Sequence, residues 1–282
     1  MIKIDCLKIR DNILADLPEI KGEAIFIQVG DRPDSTAYIN NKKKLCDKYN
    51  IKYSHIQKRE SITEAELIDL IVKYNFDDNV VGIMVQLPLP IHINEQAIID
   101  AIDPVKDIDG FTHENKGKLM VGDRSAIVPC TPLGIMCILQ AIKFNPKGKN
   151  VVIAGRSNIV GKPMTQLLIN FGATVTCCNS STPDDKLKEL ILKSDLFISA
   201  IDKPWYFDVE YFGKENLKLL NNTIAIDVGI VKVEDKLKGN IDTELYDHFQ
   251  AITPVPGGVG PMTVACVLTN IAKCEKIQSE NK

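Results

Sequence analysis

The stretch VVIAGRSNIVGKPM, residues Val151–Met164, joins an apolar run, a glycine turn and a helix start. Gly155 can make a tight turn after a strand, and Gly161 can let a helix lie close to a sheet. Backbone N–H groups at such a helix start meet a pyrophosphate. The middle glycine of the usual G-x-G-x-x-G is absent, with Ser157 in its place. Taken alone, the stretch therefore fits a plain strand–turn–helix as well as a dinucleotide loop.

The neighbouring sequence extends the pattern in both directions. Strands are expected at 150–154, 173–178, 196–201 and 223–228, with helices at 161–171 and 184–193. Upstream, strands are expected at 24–29, 51–57 and 80–85, with helices at 34–49 and 94–102. Ser61-Ile62-Thr63-Glu64 reads as a capping box for a helix reaching about Tyr74. Strands alternating with helices of this length imply βαβ units and parallel sheets. Residues 117–149 separate the two series and hold a helix at about 132–142; another follows at 262–276. The fold class is α/β, with two α/β domains, a cleft between them, and a Rossmann-type NAD(P)-binding second domain. The expected division is 1–121 plus 262–282 for the first domain and 122–261 for the second.

A chain of 282 residues with 45% hydrophobic and 25% charged residues is neither disordered nor fibrous. Its formal net charge of −3 gives no global case for nucleic acid or an anionic membrane as partner. Ile127–Ile142 and Phe249–Ala272 lack charges, but prolines and glycines interrupt both, so neither reads as a membrane span. The N-terminus shows no apolar core of signal-peptide length, and we expect a soluble, cytoplasmic protein. Cys6, Cys46, Cys130, Cys137, Cys177, Cys178, Cys266 and Cys274 form no CxxC and are expected as reduced core thiols. His55, His92, His113 and His248 share no ligand spacing, so no metal site is expected.

Several residues carry possible chemistry. Tyr38 and Lys42 are four apart on one helix face. On spacing alone, Lys42-Lys43-Lys44 also reads as a solvated charge run. Gln86 ends an apolar strand before Leu87-Pro88-Leu89-Pro90, where α/β folds place ligand groups, although an ordinary strand exit looks the same. Lys106-Asp107-Ile108-Asp109-Gly110 sets two carboxylates at a glycine turn, which also suits a loop cap. The run from Thr253 to Thr263, TPVPGGVGPMT, fixes a backbone path and removes side chains, so a ligand can approach the main chain. Pro88 and Pro256 are candidates for cis bonds. The strand at 173–178 ends in Asn179-Ser180-Ser181 without the carboxylate that binds the ribose of NAD, and Arg156 lies in the glycine turn. A guanidinium with hydroxyls suits a 2′-phosphate, so NADP is expected ahead of NAD. A solvated Arg156 beside a turn serine is the plainer alternative.

Together, the motifs YINNK at 38–42, VQLPL at 85–89, KDIDG at 106–110, PCTP at 129–132, the 155–163 loop, DVGI at 227–230 and TPVPGGVGPMT at 253–263 resemble one family. It is the bifunctional methylenetetrahydrofolate dehydrogenase/methenyltetrahydrofolate cyclohydrolase family. The motifs follow the family's order across essentially the whole chain.

The resemblance implies oxidation of 5,10-methylenetetrahydrofolate with NADP, then hydrolysis of the methenyl product to 10-formyltetrahydrofolate. It maps the catalytic lysine to Lys42, its glutamine partner to Gln86, the pterin-holding aspartate to Asp109 and the stacking tyrosine to Tyr38. Leu87, Pro88, Pro256, Gly257, Gly258 and Thr263 join these as folate-binding residues. Gly155, Arg156, Ser157, Ile159, Val160, Gly161, Ser180 and Ile230 become the cofactor-binding set. The family's last helix returns to the first domain, and its members dimerise through the nucleotide domain.

The residue types fit the chemistry. Hydride transfer needs positioning more than proton removal. Water addition to a cationic methenyl carbon needs a proton acceptor, and neutral Lys42 serves. The sequence departs from NADP-preferring relatives, which often carry His-Ser followed by Lys or Arg where Asn179-Ser180-Ser181 stands. Lys42 itself argues against the dehydrogenase-only relatives, which lack it. A 2-hydroxy-acid dehydrogenase would want a His with an acid partner and an Arg in the first domain, and no such set is evident. A nucleotide-sensing module would leave Lys42, Gln86 and Asp109 without a role.

Overall fold

The computed structural model describes residues 2–280, which separate into two compact units. One comprises Leu14–Cys130 and the C-terminal segment from Val264; the other comprises the N-terminal segment through Ile13 and Thr131–Thr263.

The first unit is built on a three-stranded parallel sheet, ordered Lys52–Lys58, Glu23–Val29, Val80–Val85. Both outer strands flank the first one, so the connection reverses between Glu23–Val29 and Val80–Val85. Every residue of Val80–Val85 is buried, as a strand covered on both faces requires. The segment 106–108 runs alongside it: Ile83 N–H donates to the Lys106 carbonyl (2.7 Å) and Ile108 N–H to the Ile83 carbonyl (3.2 Å). Gly82 leaves the space that Ile108 fills, since a Cβ there would stand 2.6 Å from Ile108 Cγ1. The helix Pro33–Lys48 buries Ser35, Ile39, Lys42 and Cys46, a stripe spaced four, three and four. Gln28, itself buried, ties this helix to the sheet by donating to Thr36 Oγ1 (2.9 Å).

The second unit carries a six-stranded parallel sheet. Its order is Ile2–Lys3, Ala251–Ile252, Ile224–Asp227, Leu196–Ser199, Asn150–Ala154, Thr174–Cys178. From Asn150–Ala154 the chain moves outward to Thr174–Cys178, then crosses back to Leu196–Ser199. The topological switch therefore lies beside Gly155, the position where doubly wound sheets bind nucleotides. Phe197, Phe207, Phe212 and Phe249 fill one side of the core.

Several expectations change. The N-terminal strand Ile2–Lys3 pairs with Ala251–Ile252, which groups the chain's start with the six-stranded sheet and not with the rest of 1–121. The later boundaries fall at Cys130/Thr131 and Thr263/Val264 in place of 121/122 and 261/262. The capping box is Thr63 with Glu66, not Ser61 with Glu64. Thr63 has extended backbone, its side chain accepts from Glu66 N–H, and the Glu66 carboxylate accepts from Thr63 N–H. The last helix begins at Val259 and runs to Glu280. Among the described residues no helix is long and apolar enough to cross a membrane.

Cys6, Cys46, Cys130, Cys178, Cys266 and Cys274 are buried thiols. Burial pushes Cys6 and Cys46 up to about 12. Both are expected to resist iodoacetamide at pH 8 in the native protein and to react after unfolding, which mass spectrometry would read.

Candidate active site

Lys42 reaches a core position because it belongs to the buried helix stripe, whereas Lys43 is half-buried and Lys44 exposed. Side chains two apart on a strand share a face, which sets Gly82, Met84 and Gln86 on one side. Lys42 Nζ meets the last two, donating to Met84 Sδ (2.8 Å) and to Gln86 Oε1 (3.1 Å). Gln86 Nε2 donates to the Leu87 carbonyl (2.7 Å), which turns the amide oxygen toward Lys42. Gln86 N–H donates to the Ile27 carbonyl (2.8 Å), so Gln86 stands at the carboxyl end of this sheet beside its topological switch.

The two carboxylates of the 106–110 turn divide their work. Asp107 is buried and accepts from Gly110 N–H, Thr112 N–H and Asn115 Nδ2, which makes it the loop cap. Asp109 is half-buried and within the field of Lys42 without pairing to it. Burial pushes its carboxyl up to about 6; Lys42 opposes this and Asp107 adds to it. Gly110 takes φ +67°, and a Cβ there would stand 2.4 Å from the Ile127 carbonyl oxygen. Asn270, buried on the last helix, donates to the carbonyls of Ile108 and Val128 (both 2.8 Å). It holds the residue before Asp109 from a point far along the chain. No sequence motif marks Met84 or Asn270. The 82/84/86 alternation could have shown Met84; nothing local could have shown Asn270.

Tyr38, one turn before Lys42, is 47% exposed, which leaves its ring available to a flat ligand. Leu87 is half-buried and Pro88 exposed, and the bond between them is cis.

In the second unit the glycine turn has the form expected of a dinucleotide loop. Gly155 has φ +124°, and a Cβ there would lie 2.2 Å from the Ala200 carbonyl oxygen. A Cβ on Gly161 would lie 2.1 Å from the Gly155 carbonyl oxygen, so the helix Gly161–Asn170 sits directly against the turn. Ser157 Oγ, where the middle glycine would be, accepts from Val160 N–H (3.1 Å) and Gly161 N–H (3.4 Å). Arg156 and Ser180 are exposed, Ile159 and Ile230 are 47% and 41% exposed, and Val160 is buried. Ile230 follows a turn held by Asp227, whose carboxylate accepts from Gly229, Asn240 and Ile241 N–H. Gly161→Ala is expected to lower the unfolding temperature and weaken nucleotide binding at least tenfold, because a backbone clash has nowhere to relax; calorimetry and cofactor titration would check both.

The 253–263 loop also belongs to this unit. Val255–Pro256 is cis, Gly257 takes φ +94°, and Gly258 packs where a Cβ would meet the Pro254 carbonyl oxygen. Thr263 Oγ1 lies 3.0 Å from Thr131 Oγ1, a hydroxyl pair that closes the start of the last helix. Among the described residues no cluster of His, Cys, Asp or Glu has metal-binding geometry.

Comparison with known proteins matches two domain models of one family to the chain. The tetrahydrofolate dehydrogenase/cyclohydrolase catalytic-domain model matches residues 7–109, and the NAD(P)-binding-domain model of the same family matches residues 129–279. Bifunctional protein FolD of Agathobacter rectalis is 42% identical over 281 residues, 97% of each chain. The crystal structure of the FolD methylenetetrahydrofolate dehydrogenase/cyclohydrolase from Campylobacter jejuni aligns with TM-score 0.89 and 39% identity, covering 97% of this chain and 96% of that one. The Trypanosoma brucei FolD complexed with NADP and an inhibitor aligns with TM-score 0.86 and 29% identity, covering 99% and 98%.

Proposed function

The chain belongs to the tetrahydrofolate dehydrogenase/cyclohydrolase family, and we propose that it carries both activities in one polypeptide. It oxidises 5,10-methylenetetrahydrofolate to the 5,10-methenyl form with NADP, then hydrolyses that product to 10-formyltetrahydrofolate. The observation that carries this reading is the buried Lys42 amine held by Gln86 at the carboxyl end of a parallel sheet, with Asp109 beside it.

The glycine turn fits the cofactor, since both Gly155 and Gly161 sit where any side chain would strike backbone. Gly155, Ser157, Val160 and Gly161 would shape the pyrophosphate cradle, and the exposed Ile159 and Ile230 would pack on the flat groups. Arg156 and Ser180 would meet the 2′-phosphate. Bound NADP supplies a hydride acceptor for the one-carbon bridge.

The folate is held by the first unit's side chains. Ionised Asp109 accepts N–H donors from the amino-pyrimidine edge, and Tyr38 stacks on the flat pterin. Leu87 and Pro88, at the end of the same strand as Gln86, complete this unit's folate-binding set.

In the hydrolytic step, neutral Lys42 accepts the proton as water adds to the cationic methenyl carbon. Collapse of the adduct breaks the carbon's bond to N5, which takes up a proton, and one proton is released overall. Gln86 keeps the amine in place through both events.

Incubation with NADP and 5,10-methylenetetrahydrofolate is expected to show reduced nicotinamide and a transient methenyl absorbance; the absence of both would overturn the reading. Arg156→Ala is expected to raise the KM for NADP about tenfold or more while changing the KM for NAD little, from the loss of one charge-assisted hydrogen bond. Equal changes would remove Arg156 from the 2′-phosphate site.

We further propose a cytoplasmic homodimer formed through the second unit, on which Ile169, Phe171 and Leu219 stand exposed. Light scattering across a concentration series tests the dimer.

A further inference from the structure

We propose that Met84 is a positioning residue for Lys42, its sulfur fixing the direction in which the amine accepts a proton. The inference rests on the reading of Lys42 as the proton acceptor and deepens it.

A neutral amine has two N–H groups and one lone pair in tetrahedral array. Among the described residues, Lys42 Nζ meets two acceptors, Met84 Sδ at 2.8 Å and Gln86 Oε1 at 3.1 Å. With one hydrogen on each, the lone pair is confined to the remaining corner. A thioether is a weak acceptor that cannot donate, so it holds a hydrogen without competing for the lone pair. Met84 is fully buried, and its strand is buried throughout, so the sulfur has little freedom to leave. Gln86 alone would fix one hydrogen and leave the second hydrogen and the lone pair free to exchange the two remaining corners. Met84 follows from the same period-two alternation that presents Gln86, and the two acceptors form one unit on the strand.

Met84→Leu keeps a similar apolar volume and removes the acceptor. The cyclohydrolase kcat is expected to fall about tenfold further than the dehydrogenase kcat, because misorientation costs the proton-transfer step and not hydride positioning. The KM for folate is expected to stay within about twofold, as orientation of the amine is not folate affinity. A merely structural role would lower both activities together or raise KM; either result, or an unchanged ratio of activities, overturns the proposal. Norleucine incorporated for methionine repeats the comparison at constant chain length should the Leu variant not fold, and the same fall in the ratio is expected. Lys42→Met separates the two readings. If it abolishes cyclohydrolase activity while Met84→Leu leaves the ratio unchanged, only the role of Met84 fails. If it leaves cyclohydrolase activity intact, the reading of Lys42 fails and this proposal with it.

Discussion

Replacing Lys42 by Met is expected to reduce cyclohydrolase activity by about 10²–10⁴-fold, the usual contribution of a positioned proton acceptor. The dehydrogenase reaction should persist at a measurable rate, since hydride leaves the one-carbon bridge without a proton being removed. The substitution suits the site: an unbranched apolar chain replaces the Lys42 stem within the stripe of Ser35, Ile39 and Cys46. Loss of the amine leaves Gln86 Nε2 on the Leu87 carbonyl. Stopped-flow absorbance should then show methenyltetrahydrofolate accumulating where the wild type converts it. Undiminished hydrolysis would remove Lys42 from the mechanism.

Asp109→Ala is expected to impair both activities through folate binding, with affinity falling about 10²-fold. That corresponds to about 3 kcal/mol, the range for charge-assisted hydrogen bonds lost from one carboxylate. Wild-type folate affinity in a fluorescence titration would refute the assignment. The same residue makes a stability prediction of opposite sign. Burial raises its carboxyl to about 6 in the folded protein from an ordinary value of 3.8. A folded-state acid with a raised pKa favours unfolding once it ionises. The penalty is absent below about pH 4, grows through about pH 6 and is complete above that. Asp109→Asn is therefore expected to raise the unfolding temperature of the ligand-free protein by a few degrees at pH 7.5 and by nothing at pH 4. The gain is on the order of 1–2 kcal/mol, discounted for the group's partial exposure. Ionised Asp109 would then be retained for folate at a cost to stability, and folate binding should weaken as pH falls through about 6.

Local sequence carried the elements well because their signals are local. The apolar runs of Val80–Val85 and Asn150–Ala154 are strands with those bounds. The helix Pro33–Lys48 begins one residue before its expected start. Competing local partners stand two residues apart at the capping box, where Thr63 and Glu66 take the place of Ser61 and Glu64. The two-residue strands Ile2–Lys3 and Ala251–Ile252 have no periodicity to read, and only their pairing with each other and with Ile224–Asp227 defines them.

By itself the sequence determined the parallel α/β architecture, the glycine turn at 155–161, the family and the residue types that chemistry requires. These depend on spacing along the chain, which sequence records directly. Only the tertiary structure decided which member of Lys42-Lys43-Lys44 is buried, which of Asp107 and Asp109 is the loop cap, and that Met84 and Asn270 support the site. Burial and hydrogen-bond partnership are set by what packs across the sheet. For Lys42 that is a strand about forty residues away; for the loop before Asp109 it is a helix more than 160 residues away.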